Sequence, residues 1–129
     1  MMESISILIV EDEALTAMLM KSMLRNKGFN VLKSVSTGED AVDFSLKFKP
    51  DLVLMDIRLA GKMDGIEAVK KIKSESEKEI RFIFTTGYSD TELKDKTEEL
   101  DSLGFFVKPV NIPEIVNVIN KFFMPGTDS

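Results

Sequence analysis

Short apolar segments alternate with helical patterns five times along this 129-residue chain, and that alternation is what most restricts its fold. Ile5 to Val10 is an almost unbroken apolar run, and Asp51 to Met55 (DLVLM) and Arg81 to Thr85 (RFIFT) are similar. Runs that lack polar alternation suit strands buried on both faces, the condition of a parallel sheet covered by helices. Two weaker strands are read near Asn30 to Val35 and at Phe105 to Val107. Parallel neighbours need crossover connections, which are right-handed.

The intervening segments read as those crossovers. Glu13 to Lys27 carries Leu15, Met18, Leu19 and Met23 on one stripe, assigned here to the core, with Gly28 as a stop. Ser36-Thr37-Gly38-Glu39 has capping-box spacing and opens a second helix that runs to about Phe48, before Pro50. A third, about Gly65 to Ser74, turns Ile66, Val69 and Ile72 inward. The fourth, about Thr91 to Leu100, has only Leu93 and Leu100 as large apolar residues. The fifth starts at Pro113 and points Ile115, Ile119, Phe122 and Phe123 at the core. Pro125 to Ser129 reads as a frayed tail. With no repeat and no linker, the expectation is a single domain over residues 1–129, its core about 4–124. Its class is α/β: a doubly wound (βα)5, flavodoxin-like sandwich with a parallel sheet in the order 2-1-3-4-5.

Composition removes whole classes of chemistry. There is no cysteine and no histidine, so disulfides, thiolate or Ser-His-Asp catalysis and zinc ligation by either residue are excluded. A net charge of −5 argues against a nucleic-acid surface. No apolar run approaches the roughly 20 residues that span a bilayer, and Met1 to Ser4 is too short and acidic for a signal peptide. The expected location is cytoplasmic, with no contact to membrane or nucleic acid.

In the 2-1-3-4-5 order, strands 1 and 3 are neighbours and their C-terminal ends flank the switch point where ligands bind. Glu11 and Asp12 leave strand 1, and Asp56 leaves strand 3. Thr86 follows strand 4 and Lys108 follows strand 5, at the same rim. Converging carboxylates without nitrogen or sulfur suit a hard divalent cation such as Mg²⁺. Lys108 offers a point charge for a phosphoryl group, and an aspartate can be a nucleophile that forms an acyl phosphate. Each residue also has a plain structural reading: Asp12 as a helix N-cap, Asp56 as a turn residue, Lys108 as a solvated loop lysine, Thr86 as a backbone-bonding turn residue. Four unrelated causes would then have to coincide at one rim.

Taken in order, Glu11-Asp12, Asp56, Met63-Asp64-Gly65, Thr86-Gly87 and Lys108-Pro109 closely resemble the receiver domain of two-component response regulators, over about residues 4 to 124. The resemblance implies that Asp56 accepts a phosphoryl group from a sensor histidine kinase or phosphotransfer protein. It implies that Glu11, Asp12, Asp56 and the backbone carbonyl of Arg58 hold Mg²⁺. Lys108 and Thr86 would contact the phosphoryl oxygens, Gly87 would leave them room, and Phe105 would be the switch aromatic. The Lys108-Pro109 bond is expected to be cis. The chain would be a regulatory domain rather than an enzyme, a monomer or weak dimer. It would act on an unknown protein target through a surface formed by helix 4, strand 5 and helix 5. One departure concerns the loop after Asp56, where Ala60 stands at the family's proline position and an extra residue lies near Lys62. Three other readings compete. A hydrolase with an aspartate nucleophile would want a D-x-D pair on its first strand, whereas Asp56 is on the third and Arg58 occupies the second position. An FMN-binding flavodoxin-like protein would have to bring a phosphate against Glu11-Asp12-Glu13. A degenerate receiver would only bind partners.

Overall fold

In a computed structural model, residues 4–87 and 91–124 are described, and the tail expected over 125–129 lies outside them. Strands β1 (Ser6–Val10), β2 (Asn30–Val35), β3 (Leu52–Asp56), β4 (Arg81–Thr86) and β5 (Gly104–Val107) alternate with helices α1 (Ala14–Asn26), α2 (Gly38–Phe48), α3 (Gly65–Glu75), α4 (Thr91–Glu99) and α5 (Ile112–Phe123). The strands form one parallel sheet in the order β2-β1-β3-β4-β5, as expected.

The unbroken apolar strands serve two cores at once, because successive side chains point to opposite faces. Leu8, Val10, Val53, Met55, Phe82 and Phe84 meet Ala41, Val42, Ile66, Val69 and Ile72 of α2 and α3. Ile7, Ile9, Leu52, Leu54 and Ile83 meet Met20, Leu24, Ile112, Ile115 and Ile119 of α1 and α5. Adjacent strands are held in register, with Val10 opposite Met55, Asp56 opposite Thr85 and Thr86 opposite Val107.

Three helix expectations are corrected. In α1 the buried residues are Ala17, Met20 and Leu24, while Leu15, Met18 and Leu19 are 73%, 64% and 62% exposed and Met23 is also exposed. The helix is apolar on two faces, and the smaller-looking one is inside. In α5, Phe122 is exposed, lying under the Arg81 guanidinium at 4.2 Å, whereas Ile115 and Ile119 are buried as expected. The capping box read at Ser36 to Glu39 is not formed. Thr37 is the N-cap of α2 and accepts from Asp40 N at 3.1 Å. A complete box stands instead at α3, where Asp64 accepts from Glu67 N at 2.8 Å and Glu67 accepts from Asp64 N at 3.0 Å.

At the opposite rim from the site, Asp51 ties three elements. It accepts from Ser6 N at 2.9 Å, from Ser6 Oγ at 3.0 Å and from Lys78 Nζ at 2.8 Å. Burial opposes its ionisation, but the hydrogen bonds from Lys78 and Ser6 outweigh that and hold its pKa below the ordinary 3.8. A carboxyl depressed in the folded state contributes stability above its unfolded pKa and loses it as pH falls through the folded one. Asp51→Asn is therefore expected to flatten the acid limb of the stability curve below about pH 4. Urea denaturation of both proteins across that range checks this; parallel acid limbs would show that Asp51 does not contribute.

Candidate functional site

Each candidate side chain sits where an apolar strand ends, so the sheet register sets their spacing. Glu11 continues β1, with its N–H donated to Val35 O at 2.9 Å. Asp56 is the last residue of β3 and is buried, as is Glu11. Asp12 is exposed beside them, and oxygens of Glu11, Asp12 and Asp56 all lie within 4.8 Å of one another. Asp12 does not cap α1, since that position belongs to Glu13.

Lys108 answers the charge problem these carboxylates create. Its ammonium donates to Asp56 Oδ2 at 2.8 Å and stands 2.7 Å from Glu11 Oε1. Glu11 Oε1 is fully buried against that ammonium. Burial pulls the lysine pKa down, but its contacts with Asp56 and Glu11 and the charges of both carry it above its ordinary value. The remaining carboxylate oxygens take backbone donors: Glu11 Oε2 from Glu13 N at 3.1 Å and Asp56 Oδ1 from Arg58 N at 3.3 Å.

The other expected residues arrive at the same rim. Thr86 ends β4 fully buried, and its carbonyl accepts from Lys108 N at 2.7 Å, which ties the ends of β4 and β5 together. A Cβ added at Gly87 would meet nothing within 4 Å among the described residues. The Lys108–Pro109 bond is cis, as expected. Phe105, on β5, is half-buried and packs on the core shared with Leu93 and Leu100. α4 is as poorly packed as its composition implies: among its described side chains only Thr97 is buried, and its hydroxyl donates to Lys94 O at 2.8 Å.

Two features of the surroundings were not read from the sequence. The exposed apolar face of α1 borders a groove whose lining includes Leu19, Met20, Met23, Pro109 and Val110 together with Thr85 and Lys108. The loop from Ile57 to Asp64 is held against α2, with Ala60 in a parallel bridge to Thr37. The loop turns at Gly61, whose φ of +93° is a left-handed conformation that glycine tolerates.

Donor types decide what this arrangement can hold. An all-oxygen cluster fits a hard cation such as Mg²⁺. It does not suit an incoming anion unless positive charge offsets the carboxylates.

Comparison with known proteins agrees with this geometry. Sporulation initiation phosphotransferase F of Bacillus subtilis is 35% identical over 90% of this chain and 91% of that protein. Transcriptional regulatory protein PdtaR of Mycobacterium tuberculosis is 33% identical, and the match covers 88% of this chain but only 54% of that protein. Among solved structures, the CheX–CheY–BeF3–Mg²⁺ complex from Borrelia burgdorferi matches with a TM-score of 0.82 at 26% identity, covering 92% of this chain and 89% of that one. The family model of the response regulator receiver domain matches residues 7–120. Sheet order, strand-end carboxylates and these likenesses converge, and the chain belongs to the response regulator receiver domain family.

Proposed function

We propose that this chain is a cytoplasmic phosphoacceptor that takes a phosphoryl group onto Asp56 from a histidine kinase or phosphotransfer protein, with Mg²⁺ required. The observation that carries the reading is the buried Asp56 carboxylate paired with Lys108 beside two further carboxylates. An Asp56 oxygen attacks phosphorus, the bond from phosphorus to the donor histidine nitrogen breaks, and an acyl phosphate forms. The imidazole leaves with the electron pair and is protonated by solvent. Glu11, Asp12, Asp56 and the Arg58 carbonyl would hold Mg²⁺, which would supply positive charge against the equatorial oxygens. Lys108 exchanges part of its contact with Asp56 for a phosphoryl oxygen, and the Thr86 hydroxyl donates to another.

Wild-type protein incubated with acetyl phosphate is expected to gain one phosphoryl group by intact mass with Mg²⁺ and none with EDTA. Asp12→Ala is expected to weaken Mg²⁺ binding by calorimetry at least about tenfold, since a ligand is lost from a site with few protein oxygens. Labelling that ignores EDTA would sink the metal requirement. Undiminished Mg²⁺ affinity in the variant would remove Asp12 from the ligand set.

The exposed α1 face is read as the seat of the donor protein. Its groove opens beside Lys108, so an apolar helix packed on Leu15, Leu19 and Met23 would bring a phosphohistidine toward Asp56. Leu19→Glu is expected to slow transfer from a protein donor while leaving acetyl phosphate labelling at the wild-type rate. Equal slowing with both donors would place the defect in the site rather than in docking.

The signal would leave through α4, β5 and α5. Recruitment of Thr86 toward phosphate shifts the segment that begins there, and Phe105 turns inward into the space released. α4 is poorly anchored, so a bias of a few kcal/mol is enough to shift such a two-state element. Hydrogen exchange with and without beryllofluoride is the check, with changes expected in residues 86–108. Changes confined to 56–65 would refute this route.

A further inference from the structure

The loop that follows Asp56 carries the Arg58 carbonyl, and its far half lies against the first turn of α2 at three places. Ala60 bridges in parallel to Thr37, the N-cap of that helix. Gly38 comes so close to Met63 that an added Cβ would stand 2.9 Å from the Met63 carbonyl oxygen and 3.0 Å from its Cγ. At Gly61, a Cβ would lie 3.2 Å from Glu39 Oε1. The near end of the loop is fixed independently, by Ile57 N donating to Thr85 O at 2.9 Å and Gly65 N to Ile57 O at 2.8 Å. Arg58 lies between these anchors, with its N–H on Asp56 Oδ1 at 3.3 Å.

We propose that the first turn of α2 is the brace that sets the position of this loop, with Gly38 as its positioning residue, and so sets how well the Arg58 carbonyl can join the carboxylates around a divalent cation. The proposal rests on the metal reading above and adds a group well removed from the ligands. The bridge and the close approach limit how far the loop can sag, and the left-handed glycine fixes its turn. The brace acts on geometry, as outer partners of metal ligands do; losing one typically costs ten- to a hundredfold in affinity.

Gly38→Ala separates this role from ordinary helix stability. Alanine favours a helix over glycine, so α2 by itself gains from the change. The added methyl must push Met63, and with it the loop, away. In the folded variant, Mg²⁺ affinity by calorimetry is expected to fall about tenfold. Hydrogen exchange of residues 58–63 in metal-free protein is expected to quicken, with the sheet amides unchanged. Adding Met63→Ala removes the side-chain half of the clash and should return part of both effects. Met63→Ala alone, which introduces no bulk, should loosen the loop in the same direction and decides the matter if Gly38→Ala does not fold. Wild-type exchange of the loop in the folded variants would overturn the brace. Faster exchange with unchanged Mg²⁺ affinity would overturn the positioning role. Failure of the wild type to bind Mg²⁺ would sink the metal reading, and the positioning role with it, while loop exchange would still decide the brace.

Discussion

Asp56→Asn is expected to abolish phosphorylation altogether. The wild type gains one phosphoryl group from acetyl phosphate and Mg²⁺; the variant gains none, because an amide is not a nucleophile for this transfer. Neighbouring carboxylates are poor substitutes. Glu11 is buried against Lys108, and Asp12 is exposed at the mouth of the site. The variant should fold at least as well as the wild type without metal. It removes one of three converging negative charges and keeps the 2.7 Å pair between Lys108 and Glu11. Two unit charges about 4 Å apart repel by about 4 kcal/mol at an effective dielectric of about 20, so relief should be visible as a higher metal-free melting temperature. Full labelling of Asp56→Asn would show that another carboxylate is the acceptor.

Lys108→Met should be the most destabilising single change at the rim in metal-free protein. The side chains of Glu11 and Asp56 are only 1% and 3% exposed, and the ammonium is the cation between them. Removing one partner of a buried ion pair typically costs about 3 kcal/mol or more, because the other charge stays buried without compensation. Much of that loss should return in Mg²⁺, which can offset the same charges. It should also shrink when Asp56→Asn is added, since fewer negative charges then need a counter-ion. Urea denaturation of the single and double variants in EDTA and in Mg²⁺ tests this. Equal losses in both conditions would mean that the lysine contributes only packing.

Much of this was legible in the residues because strand interiors and strand ends use different chemistry. Uninterrupted runs such as ILIV and DLVLM admit few alternatives to a parallel sheet, and sheet order then assigns Glu11, Asp12, Asp56, Thr86 and Lys108 to one rim. α1 was misread for the same reason that the strands were read well. Periodicity reports that a face is apolar, not what covers it. Leu15, Met18, Leu19 and Met23 form a complete stripe, yet Ala17, Met20 and Leu24 form another, and only packing against α5 and β1 chooses between them. The capping error was of another kind. Ser36 to Glu39 and Asp64 to Glu67 both have the spacing of a box, and backbone geometry at the N-cap decides which of them closes. The brace between Gly38 and Met63 could not be seen, because a close approach between segments 25 positions apart leaves no local pattern.

Both cores are threaded by the same strands, and this bears on how such a chain can change its length. Deleting one residue from β3 would send Val53 and Leu54 to each other's faces and draw Asp56 back by about 3.3 Å, out of reach of Lys108. Folding and chemistry would fail in the same stroke, so the strands act as a ruler that insertions and deletions cannot touch. The loop at 57–64 obeys no such limit. It turns at Gly61, in a left-handed conformation, beyond the strand end that holds Asp56. Variation in length is thereby channelled into the strand-to-helix turns, where it reshapes what surrounds the acceptor and leaves the acceptor in place.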